Sequence, residues 1–83
     1  MSRSMPISFD NVDKYIELGL NISFYRKRKG FTQEQLAEKI GISRSHLSAI
    51  EAPNLVKAFS IELLFDIANA LEIEPYKLLM FRE

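Results

Sequence analysis

The most constraining feature of this 83-residue chain is the spacing of small and apolar residues between Gln33 and Glu51. The residues that set this spacing are Leu36, Ala37, Ile40, Gly41, Ile42, Leu47 and Ile50. Gly41 permits the positive φ that ends a helix at low cost, and one residue later Ser43 can cap the next helix. Two short helices joined this tightly must cross steeply, and Ala37 is small enough to allow the crossing. The spacing therefore predicts two short helices joined by a tight turn.

A longer helix is predicted before this pair. Asp10 or Asn11 can cap it, and it should run to about Lys29, where Gly30 supplies the left-handed residue that ends it. Its inner face carries apolar residues at helical spacing: Val12, Tyr15, Leu18, Ile22 and Tyr25. A second apolar stripe, formed by Ile16, Leu20 and Phe24, points roughly the opposite way, and we expect it to pack within the monomer, with a second subunit as the alternative.

Capping signals place the remaining helices. Thr32 and Gln35 form the Thr-x-x-Gln version of a capping box at the start of the second helix. Ser60 caps a fourth helix, and Pro75 fits the first turn of a fifth. No strand signal is present, so the chain is predicted to be an all-α domain of five helices.

The size and composition of the chain favour one ordered domain. Eighty-three residues leave room for a single core, so we expect a flexible segment over 1–9 and one domain over 10–83. There is no cysteine, which excludes disulfides and thiolate metal sites. No apolar run approaches the ~18 residues of a membrane span, and no signal-like stretch follows the N-terminal charges. We therefore expect a cytoplasmic protein with no membrane partner.

The charge of the chain is zero overall but unevenly distributed. Residues 24–57 contain seven basic and three acidic residues, a local excess of four positive charges, and the flanks are acidic. Phosphate neutralisation supplies most of the affinity of nucleic-acid-binding proteins, so the basic middle of the chain suits such a ligand. The alternative is that the run 26–29 is only a solvated helix end, where cations also favour the helix dipole.

The segment from Gln33 to Ile50 resembles the helix-turn-helix of the lambda repressor and Cro family, also called the xenobiotic-response-element type. The resemblance covers roughly Leu18 to Leu79, and all seven spacing residues match the family pattern. It implies a five-helix lambda-repressor-like fold with the helix-turn-helix at helices 2 and 3. It also implies sequence-specific binding of double-stranded DNA by a small transcriptional regulator.

The resemblance assigns the third helix, about 44–51, to the major groove as the recognition helix. The residues that would meet base edges are Ser43, Arg44, Ser45, Ser48 and Ala49. Arg44 is the main candidate for direct readout, because its planar guanidinium can bond guanine O6 and N7 together. The alternative is that Arg44 binds only phosphate.

Three further residues are predicted to contact the DNA backbone, of which Gln33 is assigned by the same resemblance. Gln33 is expected to bind a phosphate at the start of the second helix, assisted by Thr32, and His46 points sideways toward the backbone or solvent. Arg26 and Glu51 occupy positions that form an ion pair in similar proteins, and we expect this pair to brace the first helix against the third.

One departure from the family pattern follows Glu51. Family members commonly continue with a residue and then glycine, whereas this chain has Ala52-Pro53. Proline cannot take a left-handed cap, so we expect a different turn, with Asn54 in the left-handed role.

Other function classes fit less well. A single histidine and the absence of a Gly-rich phosphate loop argue against an enzyme, a metal site or a cofactor site. The main alternative is a protein-interaction module, such as an antitoxin-like partner, on the same scaffold. For DNA binding we expect a homodimer on a palindromic operator, with Tyr76, Met80 and Phe81 available for dimer contacts. The sequence leaves open the operator, the choice between repressor and activator, and the biological setting.

Overall fold

The computed structural model describes residues 7–81, and within that range it contains helices and no strand. A short 3-10 turn, Phe9–Asn11, leads into α1 (Val12–Lys29). Three further α-helices follow: α2 (Gln33–Ile40), α3 (Arg44–Glu51) and α4 (Ile61–Leu71). The last element of the described range is a 3-10 helix, Pro75–Leu79. The all-α class is confirmed.

The predicted fifth helix is wrong in type. Pro75 does occupy its first turn, but the element is a 3-10 helix of five residues that ends where Met80 becomes extended, at φ −83° and ψ 98°. Runs of 3-10 helix longer than three or four residues are uncommon because their hydrogen bonds are poorer. Residues 7–81 therefore contain four α-helices, preceded by a short 3-10 turn and followed by a 3-10 helix.

One core holds these elements together. Helix α1 packs against α3, α4 and the terminal 3-10 helix, while α2 packs against α3 and α4. The buried apolar residues of the core are Leu18, Ile22, Leu36, Ala37, Leu47, Ile50, Leu64, Ile67, Ala68, Leu71 and Leu78. Every spacing residue of the helix pair that is not a turn residue is buried or packs against this core. The core thus fixes α3 through its inner face.

Most of the predicted helix ends are confirmed. Gly30 and Gly41 adopt left-handed conformations at φ 86° and 76°. Ser60 accepts a hydrogen bond from the backbone of Leu63. The predicted side-chain cap of α1 is wrong: Asn11 makes no capping bond, and its side chain instead accepts from Lys14 Nζ at 3.2 Å. The preceding 3-10 turn already satisfies part of that helix start.

The turn after α3 differs from the expectation for Asn54. Across residues 7–81, Glu72 is the only non-glycine residue with positive φ, so Asn54 is not left-handed. Instead Ala52 is extended, and its carbonyl accepts from the backbone N–H of Leu55 at 3.2 Å. A tight turn with Pro53 inside it ends the helix without any left-handed residue, because proline is well suited to the second position of such a turn.

The outer stripe of α1 is only partly covered. Ile16 is half-buried, but Leu20 and Phe24 remain 39% and 46% exposed. The expectation that the monomer covers this stripe is therefore wrong for these two side chains.

Among residues 7–81, no helix is both long and apolar enough to cross a membrane. The predicted segment 1–9 lies mostly outside the described residues.

Candidate nucleic-acid interface

The start of α2 is held by a complete capping box. Thr32 Oγ1 accepts from the backbone N–H of Gln35 at 3.0 Å, and Gln35 Oε1 accepts from the backbone N–H of Thr32 at 2.9 Å. Two backbone donors that a helix start leaves unpaired are satisfied in this way. Since α2 begins at Gln33, the box also fixes where that side chain emerges.

The turn between α2 and α3 is equally well defined. Gly41 provides the left-handed residue, and the N–H of Ile42 donates to the carbonyl of Ala37 at 3.0 Å. Ser43 then caps α3, accepting from the backbone N–H of His46 at 3.0 Å. Ala37 is 2% exposed and belongs to the core that both helices share. The turn therefore leaves little freedom in the angle of α3.

Helix α3 also lies very close to α1. A Cβ atom added to Gly19 would lie 2.2 Å from the carbonyl oxygen of Ile50, far inside van der Waals contact. The absence of a side chain at Gly19 thus lets the two backbones touch. Sequence analysis missed this residue, although a glycine in the middle of a helix costs about 1 kcal/mol relative to alanine and so signals a packing reason.

The C-terminal end of α3 is joined to α1 by a buried ion pair. Arg26 Nε donates to Glu51 Oε2 at 2.8 Å, and its Nη2 donates to Glu51 Oε1 at 3.0 Å, so the contact is bidentate. The two side chains are 9% and 4% exposed. The third guanidinium nitrogen of Arg26, Nη1, donates to the carbonyl of Phe31 at 2.7 Å. The structure therefore brings together the two residues expected to form the brace.

Gln33 takes part in the same network. Its Nε2 donates to Glu51 Oε1 at 3.0 Å, and the side chain is half-buried. Its carbonyl oxygen and second amide hydrogen have no partner among residues 7–81 and remain available to a ligand. The residue expected to bind phosphate is thus held in place by the carboxylate that ends α3.

The exposed side of α3 carries the residues assigned to base contacts. Ser43, Arg44 and Ser45 are exposed, while Ser48 and Ala49 are half-buried. The hydroxyls of Ser43 and Ser45 lie 3.3 Å apart. Either hydroxyl can donate in this hydrogen bond, and Ser43 Oγ also accepts the capping bond. The single Ser43 hydrogen is available to a base acceptor when Ser45 is the donor of the pair. His46 is half-buried on the flank of the same helix.

Arg44 forms no ion pair with any residue of the described range, although two carboxylates are near. It lines a shallow surface depression together with Glu34 and Glu38 of α2. Its guanidinium is therefore free to reach a ligand, and these two acids will repel phosphates on that side.

Asn21 is a second residue that sequence analysis missed. It is 5% exposed on α1, and its Nδ2 donates to the carbonyls of Leu78 and Met80 at 3.0 and 3.1 Å. These bonds fasten the terminal 3-10 helix to α1. The signal was an asparagine on the buried side of a helix, since buried amides need partners.

Comparison with known proteins identifies close relatives of this arrangement. The chain matches the family model described as Helix-turn-helix (HTH_3) over residues 22–78. It is 40% identical over 62 residues to the HTH-type transcriptional regulator SinR of Bacillus subtilis, which covers 75% of this chain and 55% of SinR. The chain therefore spans little more than half the length of that relative.

Solved structures show the same arrangement. The restriction-modification controller protein C.AhdI from Aeromonas hydrophila aligns with a TM-score of 0.76 and 30% identity, covering 83% of this chain and 97% of C.AhdI. The master regulator for biofilm formation SinR, solved in complex with DNA, aligns with a TM-score of 0.69 and 40% identity over 76% of this chain and 98% of that one.

Proposed function

Because this chain belongs to the helix-turn-helix family, we propose that it is a sequence-specific DNA-binding regulator of transcription whose α3 enters the major groove. The observation that carries the proposal is the exposed polar side of α3, held at a fixed angle by the core, the Gly19 contact and the Arg26–Glu51 pair. The solved complex of the relative SinR with DNA supports it.

We assign the contacting residues to bases or phosphates from their positions on α2 and α3. Ser43, Arg44, Ser45, Ser48 and Ala49 contact base edges, and Gln33, Thr32 and His46 contact phosphates. Arg44 provides most of the discrimination, because the serine hydroxyls can pair with several bases and Ala49 offers only apolar contact to a thymine methyl. The protein acts by occupying its operator and requires neither catalysis nor a cofactor.

Two measurements test DNA binding. Affinity for random duplex DNA should fall linearly with salt on a log-log plot, since each phosphate contact releases counterions. Selection of bound sequences from a random pool should then yield one consensus. If the chain does not bind DNA even at low salt, the proposal is wrong.

We further propose that the chain binds a palindromic operator as a homodimer, because a single domain of this size covers few base pairs. Tyr76, within the terminal 3-10 helix, and Met80, directly after it, are 58% and 61% exposed and suit a second copy, whereas Phe81 packs on the core. Light scattering at micromolar concentration should give about twice the chain mass of 9.6 kDa. A Met80→Lys variant should be monomeric, whereas the control variant Leu55→Lys should remain dimeric. If the wild-type chain is monomeric both with and without operator DNA, the homodimer proposal is wrong.

A second candidate function is protein interaction. The exposed Leu20 and Phe24 on the outer stripe of α1 favour it, because an apolar surface of this kind suits a partner helix. If the chain does not bind duplex DNA even at low salt, that result favours protein interaction over DNA binding as its function. A transcriptional regulator must reach its DNA operator, so the DNA-binding proposal also places the protein in the cytoplasm and includes no membrane partner.

A further inference from the structure

The four consecutive cations at the end of α1 have four different environments. Arg26 is buried against Glu51, Arg28 lies over the Phe24 ring at 5.8 Å, and Lys29 pairs with Glu72. Lys27 is exposed, and within the described part of the chain it has neither an ion pair nor a ring contact. Of the four cations 26–29, Lys27 is thus the one whose charge has no partner within the described fold.

Lys27 lies on the same side of the molecule as α3. It lines a surface depression formed by α1, the start of α2 and the end of α3, together with Ser23, Gln33, Ser48 and Pro53. Gln33 and Ser48 are two of the proposed DNA contacts, so the depression opens toward the DNA in the proposed complex.

The depression carries a net positive charge. Its one carboxylate among the described lining residues, Glu51, is neutralised by Arg26 and further bonded by Gln33. Lys27 then adds an uncompensated positive charge. At the other end of α3, Arg44 has Glu34 and Glu38 beside it. The two ends of α3 therefore differ in charge, and the Lys27 end suits a phosphate better.

The polar groups here match the chemistry of a phosphodiester. An ammonium group on a flexible stem binds a phosphate as a point charge without demanding one geometry. Gln33 adds a directional donor that Glu51 has already oriented, so little further order is lost when it bonds an oxygen. Ser23 and Ser48 add hydroxyls at the rim.

We propose that Lys27 binds a DNA backbone phosphate in this depression, with Gln33 as the oriented second donor. The proposal rests on the DNA-binding function argued above and adds a contact that the helix-turn-helix segment itself does not contain. The contact positions α3 in the groove without reading sequence, because phosphates carry no base identity.

The experiment compares Lys27→Gln with Lys14→Gln in the full chain. Lys14 is an exposed lysine on the same helix, but its amino group bonds Asn11 and lines a different depression, so it serves as the matched control. Binding to random and to selected duplex DNA is measured across a salt series. Thermal unfolding of each variant verifies that the fold is intact.

Lys27→Gln should lower the magnitude of the log-log salt slope by about 0.9 per bound subunit and weaken binding roughly tenfold at low salt, equally for both DNAs. Lys27→Arg should restore most of the slope, and Lys14→Gln should leave it unchanged. If Lys27→Gln keeps the wild-type slope, or if Lys14→Gln loses as much, the Lys27 assignment is wrong while the DNA-binding function stands. If the wild-type chain itself fails to bind DNA, both proposals fall.

Discussion

The two ends of α3 are built in opposite ways. At the C-terminal end, Glu51 is buried and receives three hydrogen bonds, two from Arg26 and one from Gln33. At the N-terminal end, Arg44 is exposed and has no ion pair in the described range. The difference suggests that a recognition helix needs one end fixed to the domain so that the other can present free side chains at a defined position. Substitutions at the two ends should accordingly affect different properties.

The largest effect is expected from Arg26→Ala. The substitution leaves Glu51 buried without its counter-charge, which typically costs about 3–5 kcal/mol of unfolding free energy. Chemical denaturation measures the loss. Lys27→Ala, at the exposed neighbouring position, should stay within about 0.5 kcal/mol and is the matched control. An Arg26→Ala variant as stable as the wild type would show that the buried pair does not brace α3.

Gly19→Ala should have the next largest effect. The new Cβ would lie 2.2 Å from the Ile50 carbonyl, so α1 and α3 must separate. Overpacking of this kind typically costs about 1–3 kcal/mol, which exceeds the helix propensity that alanine gains. Because α3 itself is displaced, affinity for the selected DNA should fall as well.

Ser23→Ala, one turn further along α1, is the control for the stability effect of Gly19→Ala, since it removes only a half-buried hydroxyl. DNA affinity is not compared with this variant, because Ser23 lies at the rim of the Lys27 depression. If Gly19→Ala is as stable as that control, the close contact between the two helices is not needed to set the angle of α3.

The sequence predicted the helix pair and the Arg26–Glu51 ion pair much better than the other contacts of α1 and the turn after α3. Gly41, Thr32 and Ser43 act through their immediate neighbours, so local patterns were sufficient to place the helix pair. Gly19 and Asn21 each carry a local signal of a packing role, but their partners Ile50 and Leu78 lie far away along the chain, and no local pattern identifies those partners.

In the candidate site, too, local features could be predicted from the sequence and most contacts between distant residues could not. Exposure of Ser43, Arg44 and Ser45 followed from helix periodicity. The bond from Gln33 to Glu51 joins two residues that lie 18 positions apart in sequence. The conformation of Ala52-Pro53 depends on a turn that several residue combinations can form. These features required coordinates.

Arg44→Ala tests the exposed end. It should leave stability within about 0.5 kcal/mol, because the side chain is exposed and unpaired within the described chain. It should weaken binding to the selected sequence by about 1–3 kcal/mol, roughly 5- to 150-fold, with a much smaller loss on random DNA. Parallel binding titrations measure this ratio.

Arg28→Ala is the control for Arg44→Ala. Arg28 is also an exposed arginine, but it lies on α1, over the Phe24 ring, and not on the recognition helix. Equal losses on selected and random DNA after Arg44→Ala, together with a shallower salt slope, would mean that Arg44 binds phosphate and does not read bases.

The smallest effect is expected at Lys29–Glu72, the exposed counterpart of the buried pair on the same helix. The hydrogen bond and charge of Lys29 lower the pKa of Glu72, so its stabilising contribution is present at neutral pH and disappears as pH falls through that lowered pKa. Glu72→Gln should therefore lower Tm by at most a few degrees at pH 7 and by less in acid, since exposed pairs contribute little. Glu72→Gly also removes the charge but relieves the left-handed backbone at φ 58°, so its Tm should exceed that of Glu72→Gln. If Glu72→Gln lowers Tm by a large amount, or by the same amount in acid as at neutral pH, the exposure of the Lys29–Glu72 pair does not explain why it should contribute less than the buried Arg26–Glu51 pair.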